Sequence, residues 1–191
     1  MQAAEERAVF ADAEGKYATR VADIVNRWEK MASELDLAPL LKAREFIYAD
    51  VAKCISAGAN FLVALGLCAY TEFFGRLSSG IPRSSAGKCF RVFFRKLGPC
   101  YETLVAQRRD VYGDVRCGLA HEYVTEKGSE INNGTGPCGI EYLSADQVRL
   151  NLVTYFDDFK KAVDRYIDDL KSNPELRRKY ARAMKGKPVL V

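Results

Sequence analysis

The chain has 191 residues, of which 48% are hydrophobic and 28% charged, with a formal net charge of +4. That size and balance exclude a disordered segment and suit a single domain, here taken as residues 1–191. The modest positive charge permits a polyanionic partner such as RNA without requiring one.

Helical periodicity dominates from the start. Over residues 3–35, Val9, Phe10, Tyr17, Val21, Ile24, Val25, Trp28, Met31 and Leu35 recur at steps of three, four and seven, which predicts one apolar helix face. Pro39 punctuates its end. A second helical region is expected from about Leu41 to Leu77, bent near Ala57-Gly58. Its most apolar run, Ala57 to Tyr70, contains Asn60 and two glycines. That run is short of the ~20 residues of a membrane span and reads as a buried core helix. With no signal-like stretch at Met1 to Arg7, a cytoplasmic protein without membrane association is expected.

Ser78 to Gly87 is rich in Ser, Gly and Pro and reads as a loop. A third helix is expected over about Lys88 to Gln107, kinked by Pro99, and a fourth over about Asp110 to Val124. Residues 125–143 break the pattern: the turn-rich Asn132-Asn-Gly-Thr-Gly-Pro137 predicts a short β-hairpin or ordered loop. Ser144-Ala-Asp-Gln147 then reads as a capping box. It would open a helix with Val148, Leu152, Tyr155, Phe156, Phe159, Val163, Tyr166 and Leu170 on one face. Asn173-Pro174 starts a last, basic helix over 174–185. The expected architecture is all-α: a helical bundle, core about 41–170, with a short β-hairpin insertion.

Six cysteines are scattered without a C-x-x-C pair, and there is one histidine. Free thiols are therefore expected, and no metal site. Gly134-Thr-Gly136-Pro-Cys-Gly139 has the form G-x-G-x-x-G, but no hydrophobic strand precedes it and Pro137 removes an amide. Gly80 to Lys88 has six residues rather than four between its glycines, and Cys89 stands where a magnesium-binding hydroxyl belongs. Both read as loops, so no cofactor is expected. The basic residues near the C-terminus (Lys171, Arg177, Arg178, Lys179, Arg182, Lys185, Lys187) read as a solvated helix end rather than an RNA contact.

One constellation carries chemistry. His121 is the sole histidine and the natural group for proton transfer near neutral pH. Arg116 stands five residues before it and Tyr123 two after, within Val115-Arg-Cys-Gly-Leu-Ala-His-Glu-Tyr-Val124. On an ideal helix five positions separate Arg116 and His121 by roughly 140°. Convergence thus needs a helix end, a distortion or a partner chain, and Gly118 eases the first two. The bland alternative is that both cations merely solvate or cap a helix C-terminus.

R-x-x-x-x-H near a helix end resembles the HEPN superfamily. The form R-x-x-x-x-H-x-Y resembles the toxin subunit of HEPN–nucleotidyltransferase toxin–antitoxin pairs. The resemblance implies a metal-independent endoribonuclease, a homodimer whose two motif copies form a composite site, possessing a toxin or defence role. It implies His121 as acid or base and Arg116 on the phosphate. Tyr123 would lie at the cleft, as the residue a nucleotidyltransferase antitoxin modifies. Glu72, in the apolar stretch Ala69 to Phe74, is the candidate supporting acid, since a carboxylate on a buried face needs a partner; its alternative is an exposed position beside an aromatic face. Cys117 follows the motif arginine where active members commonly carry a polar residue. The alternative function is a catalytically silent HEPN-like module that binds a nucleotide, RNA or a protein; a plain helical scaffold is the third reading.

Overall fold

The computed structural model describes residues 36–80, 86–121, 128–145 and 147–184, all within the compact unit Asp36–Val191. The helix expected over 3–35 lies outside the described residues. The first described helix, α1 (Ala38–Ser56), carries Pro39 in its first turn. Proline suits the first turn because its missing N–H is an orphan there anyway. Asp36 Oδ1 accepts the Ala38 N–H at 2.8 Å. The expected bend near Ala57-Gly58 is a full break. Gly58 adopts φ +70°, Gly58 N–H donates to Ile55 O and Ala59 N–H to Cys54 O. That pair of bonds is the Schellman closure of a helix end, which needs a left-handed residue.

α2 (Asn60–Ser79) follows and is twenty residues long. By length and composition it would suffice to cross a membrane. Its apolar residues serve packing instead: Val63, Ala64, Leu67, Cys68, Phe74 and Leu77 are all nearly or fully buried. The expected kinked third helix is two helices, α3 (Ala86–Phe94) with a tight turn Arg95–Leu97, and α4 (Pro99–Ala106), separated at Gly98. Pro99 again sits in the first turn. α4 ends in a second Schellman pair, Arg108 N–H to Val105 O and Arg109 N–H to Leu104 O. Here a non-glycine, Arg108, holds the left-handed conformation at φ +56°. A π-helical segment, Tyr112–Cys117, then runs directly into the short helix α5 (Gly118–His121).

The expected hairpin is differently wired. β1 (Gly128–Asn132), β2 (Ile140–Tyr142) and β3 (Gln147–Asn151) form one sheet in the order β1-β3-β2. β1 is parallel to β3, with Gly128 opposite Gln147, and β2 is antiparallel to β3, with Tyr142 opposite Val148. Of the stretch read as a capping box, Ser144 and Ala145 follow β2 and Gln147 opens β3, its carbonyl accepting the Leu143 N–H at 2.9 Å. Gln147-Val-Arg-Leu-Asn alternates polar and apolar residues, with Val148 and Leu150 fully buried, so the strand period wins over the helical one. The fold is therefore mostly helical with a small sheet.

The long helix α6 (Leu152–Ser172) begins only where the strand ends, and α7 (Pro174–Met184) follows Asn173, whose Oδ1 accepts the Leu176 N–H at 3.0 Å. α6 buries Leu152, Tyr155, Phe156, Phe159, Val163, Tyr166 and Leu170, the face the periodicity predicts. Aromatic rings fill the centre. Phe74 of α2 lies 5.3 Å from Phe93, 5.7 Å from Phe159 and 6.0 Å from Tyr166 between ring centroids. The pairs with Phe159 and Tyr166 are edge-to-face, an arrangement that adds to the gain from area burial. α2 and α3 approach so closely at Gly75 that an added Cβ would lie 1.8 Å from the Cys89 carbonyl oxygen.

Four of the six cysteines are free, but Cys100 and Cys138 form a disulfide with Cα atoms 6.1 Å apart, which corrects the expectation of free thiols throughout. Nothing local in the sequence brings the pair together. Their approach depends on α4 meeting the loop before β2. That loop is fixed independently: Gly139 N–H donates to Tyr101 Oη at 3.1 Å, and Tyr101 donates to Asp158 at 2.9 Å. Closing a loop of 38 residues stabilises by about 4 kcal/mol in the chain-entropy account.

Gly75→Ala is expected to cost at least about 3 kcal/mol, because the obstacle is backbone and α2 and α3 must separate. Thermal unfolding monitored by circular dichroism checks this; an unchanged midpoint would contradict the close approach.

Candidate functional site

Arg116 is placed by the π-helical segment. Each π turn takes one residue more than an α turn, and such turns recur at functional positions. Three contacts fix this one. At its start Gly113 N–H donates to Asp110 Oδ1 at 3.3 Å. Midway, the buried Asp114 accepts a hydrogen bond from Tyr142 Oη at 2.7 Å, which ties the segment to β2. Val115 and Leu119 are buried as apolar anchors. Burial first, then the bond to Asp114 and that carboxylate's charge, push the Tyr142 phenol well above its ordinary range. Arg109 opposes that shift, its guanidinium lying 4.7 Å from the Tyr142 ring centroid. Tyr142 therefore stays a neutral donor to Asp114.

Arg116 faces α2. Its Nη2 stands 3.1 Å from Glu72 Oε2, while Arg76 Nη2 stands 3.5 Å from Glu72 Oε1. Glu72 is nearly buried, with its side chain 11% exposed, whereas Arg116 and Arg76 retain 24% and 25%. One sequestered carboxylate thus carries two arginine side chains that stay partly exposed. Among the described residues Glu72 Oε2 and Arg116 Nε are buried without a hydrogen-bond partner. The Arg116–Glu72 contact is accordingly ionic rather than a bidentate fork, and it leaves donor capacity on the guanidinium.

Tyr112 completes the cluster. Its ring lies 5.6 Å from the Arg116 guanidinium and 5.6 Å from Phe90, and it covers Gly87, where an added Cβ would sit 3.0 Å from the ring. Burial raises the Tyr112 phenol above its usual value; the Arg116 charge opposes the shift, and the charge of Glu72 and a hydrogen bond to it reinforce it. A cation held over an aromatic face gains modest stabilisation and a fixed plane.

The structure thus brings together Arg116 and Glu72 of the expected residues. Cys117 is a half-buried free thiol in the same π segment. The His121 side chain and Tyr123 lie outside the described residues. Arg76, Tyr112, Asp114 and Tyr142 were not among the expected residues. Arg76 was within reach of the sequence, being four positions after Glu72 and so on the same helix face; the Asp114–Tyr142 pair was not, because it spans 28 positions.

The features set aside from the sequence have structural employment. In the Gly134–Gly139 loop, Gly136 N–H donates to Thr154 Oγ1 and Gly139 N–H to Tyr101 Oη, so those amides are already occupied. On the basic helix, Arg177 donates to the Leu170 and Lys171 carbonyls, closing the end of α6. Lys179 pairs with Glu175 at 2.7 Å. Among the described residues no three His, Cys, Asp or Glu side chains gather as metal ligands. Comparison with protein-family models, with curated proteins and with solved structures found no match, so the site is read from its own chemistry.

Glu72→Ala leaves two neighbouring guanidiniums uncompensated. It is expected to destabilise by about 2 kcal/mol, less than the loss of one partner from a fully buried pair because both arginines are partly solvated. Urea unfolding checks this; a loss within 0.5 kcal/mol, the range of ordinary surface substitutions, would mean Glu72 is not restraining them.

Proposed function

We propose that the chain is a HEPN-type, metal-independent endoribonuclease in which His121 is the acid–base group and Arg116 the phosphate ligand. The observation that carries this reading is the placement of Arg116: on a π-helical turn, partly exposed, and tethered by the sequestered Glu72 without a bidentate bond. A guanidinium so held is preorganised yet retains donors for an anion, which is what stabilising a developing phosphorane charge demands.

The chemistry balances without an external reagent. His121 takes the proton of the ribose 2′-hydroxyl, O2′ bonds to phosphorus, and the P–O5′ bond breaks. O5′ takes the proton back from the His121 imidazolium as it leaves, giving a 2′,3′-cyclic phosphate and a 5′-hydroxyl. Glu72 acts as a positioning residue, through Arg116. Two chains pair so that both motif copies line one cleft, and Tyr123 is the position at which a nucleotidyltransferase antitoxin silences a toxin of this kind.

The second reading is a catalytically silent module that binds RNA, a nucleotide or a protein. It is favoured by Cys117, which stands beside the motif arginine where a polar group is expected. RNA cleavage in EDTA separates the two. End-labelled RNA incubated with wild type is expected to yield 2′,3′-cyclic phosphate termini, with His121→Ala at least ~100-fold slower. Equal cleavage by both proteins, or none by either, would discard the ribonuclease.

A further inference from the structure

We propose that Arg76 is a second phosphate-binding residue of this site, held beside Arg116 by their shared carboxylate so that the pair receives the backbone of a single-stranded RNA. The inference rests on the reading of the Arg116 cluster as an RNA site and extends it to a residue outside the R-x-x-x-x-H motif.

The geometry gives the argument. Arg76 and Arg116 come from different elements, α2 and the π-helical segment, yet each places an Nη2 against a different oxygen of Glu72, at 3.5 and 3.1 Å. Among the described residues, two cations against one anion leave a local excess of one positive charge. Among the described residues no other carboxylate pairs with either guanidinium. Like charges held side by side repel, and a single nearly buried carboxylate offsets that only in part. A phosphodiester oxygen on the solvent side would complete the neutralisation, because both arginine side chains keep about a quarter of their surface exposed.

The donor inventory agrees. A guanidinium offers five N–H groups, and the Glu72 contacts engage one nitrogen of each. Arg116 Nε is buried, and the other free donors match the several oxygens of a phosphate better than one further carboxylate. An ordinary i,i+4 helix pair between Glu72 and Arg76 would explain their contact alone. It does not explain why the same carboxylate also holds Arg116 from another segment. Single-stranded RNA is favoured over duplex because in-line attack by O2′ requires a backbone free to leave A-form geometry.

The test uses a ligand that cannot be cleaved. A short fluorescein-labelled 2′-O-methyl oligouridylate lacks the nucleophile, so binding is read by anisotropy regardless of catalysis. Arg76→Ala is expected to weaken binding about tenfold. It should also lower the slope of log affinity against log salt by about 0.7, the release of one counterion site on a single strand. Arg76→Lys is expected to retain the slope but not the full affinity, since it keeps the charge and loses the fork. It also serves as the deciding variant should the alanine protein fail to fold. Wild-type affinity and slope in a folded Arg76→Ala protein, or full wild-type affinity in Arg76→Lys if only that variant folds, would overturn the role of Arg76 and leave the reading of Arg116 intact. No binding by the wild type would overturn both. Arg76-dependent binding without RNA cleavage would uphold the inference while removing the ribonuclease.

Discussion

The Glu72 carboxylate is the constraint on which the site depends. Sequestering a carboxylate is costly unless cations compensate it. Glu72 sits on α2, half of whose residues are buried, next to the fully buried Thr71 and two positions before Phe74 at the aromatic centre. The charge is offset from two directions, by Arg76 one turn along and by Arg116 from the π-helical segment. Such an arrangement adds little net stability, since desolvation consumes much of the attraction. Its consequence is positional: the Glu72 carboxylate draws Arg116 toward α2.

The remainder of the fold holds the two partners of that contact at a fixed separation. α2 is locked from one side by its approach to α3 at Gly75 and from another by Phe159 and Tyr166 of α6. The π-helical segment is locked by Val115 and Leu119 in the core and by Tyr142, which reaches Asp114 from the sheet. The sheet is fixed in turn by Asn151, fully sequestered, which donates to the Cys138 carbonyl and to Glu141 and accepts from Asn132. The Cys100–Cys138 disulfide adds a covalent tie between α4 and the loop leading into β2. Rotation of the segment by one residue would bury Arg116 or expose Val115, and both outcomes are unfavourable.

Much of this was legible in the sequence, for reasons that can be named. The buried face of α6 follows from 3.6-residue periodicity over a long amphipathic stretch, where the signal is strongest. Glu72 stood out as a charge in an apolar run, and the requirement for a partner follows from desolvation alone. The errors have equally definite causes. Ser144 to Gln147 satisfies the local pattern of a capping box, and Val148 continues the helical phase of Leu152 and Tyr155. Pairing with β1 and β2 overrode that local preference. Proline at 99 is expected to kink one helix, whereas it opens a new one after Gly98. The disulfide and the Asp114–Tyr142 bond join residues 38 and 28 positions apart, with no local pattern to announce them. The π turn leaves no periodic trace, because one extra residue in a single turn is invisible in a segment so short.

The claim that Glu72 governs Arg116 is tested most directly by a double-mutant cycle of Glu72→Gln and Arg116→Gln, read as unfolding free energy in urea. Residues in one ionic network show coupling, and about 1 kcal/mol or more is predicted here. Each single variant would lose stability, and the second substitution would cost far less once the first was made. Strict additivity of the two losses would contradict the account: Arg116 would then be held by the π-helical segment alone, with Glu72 a bystander.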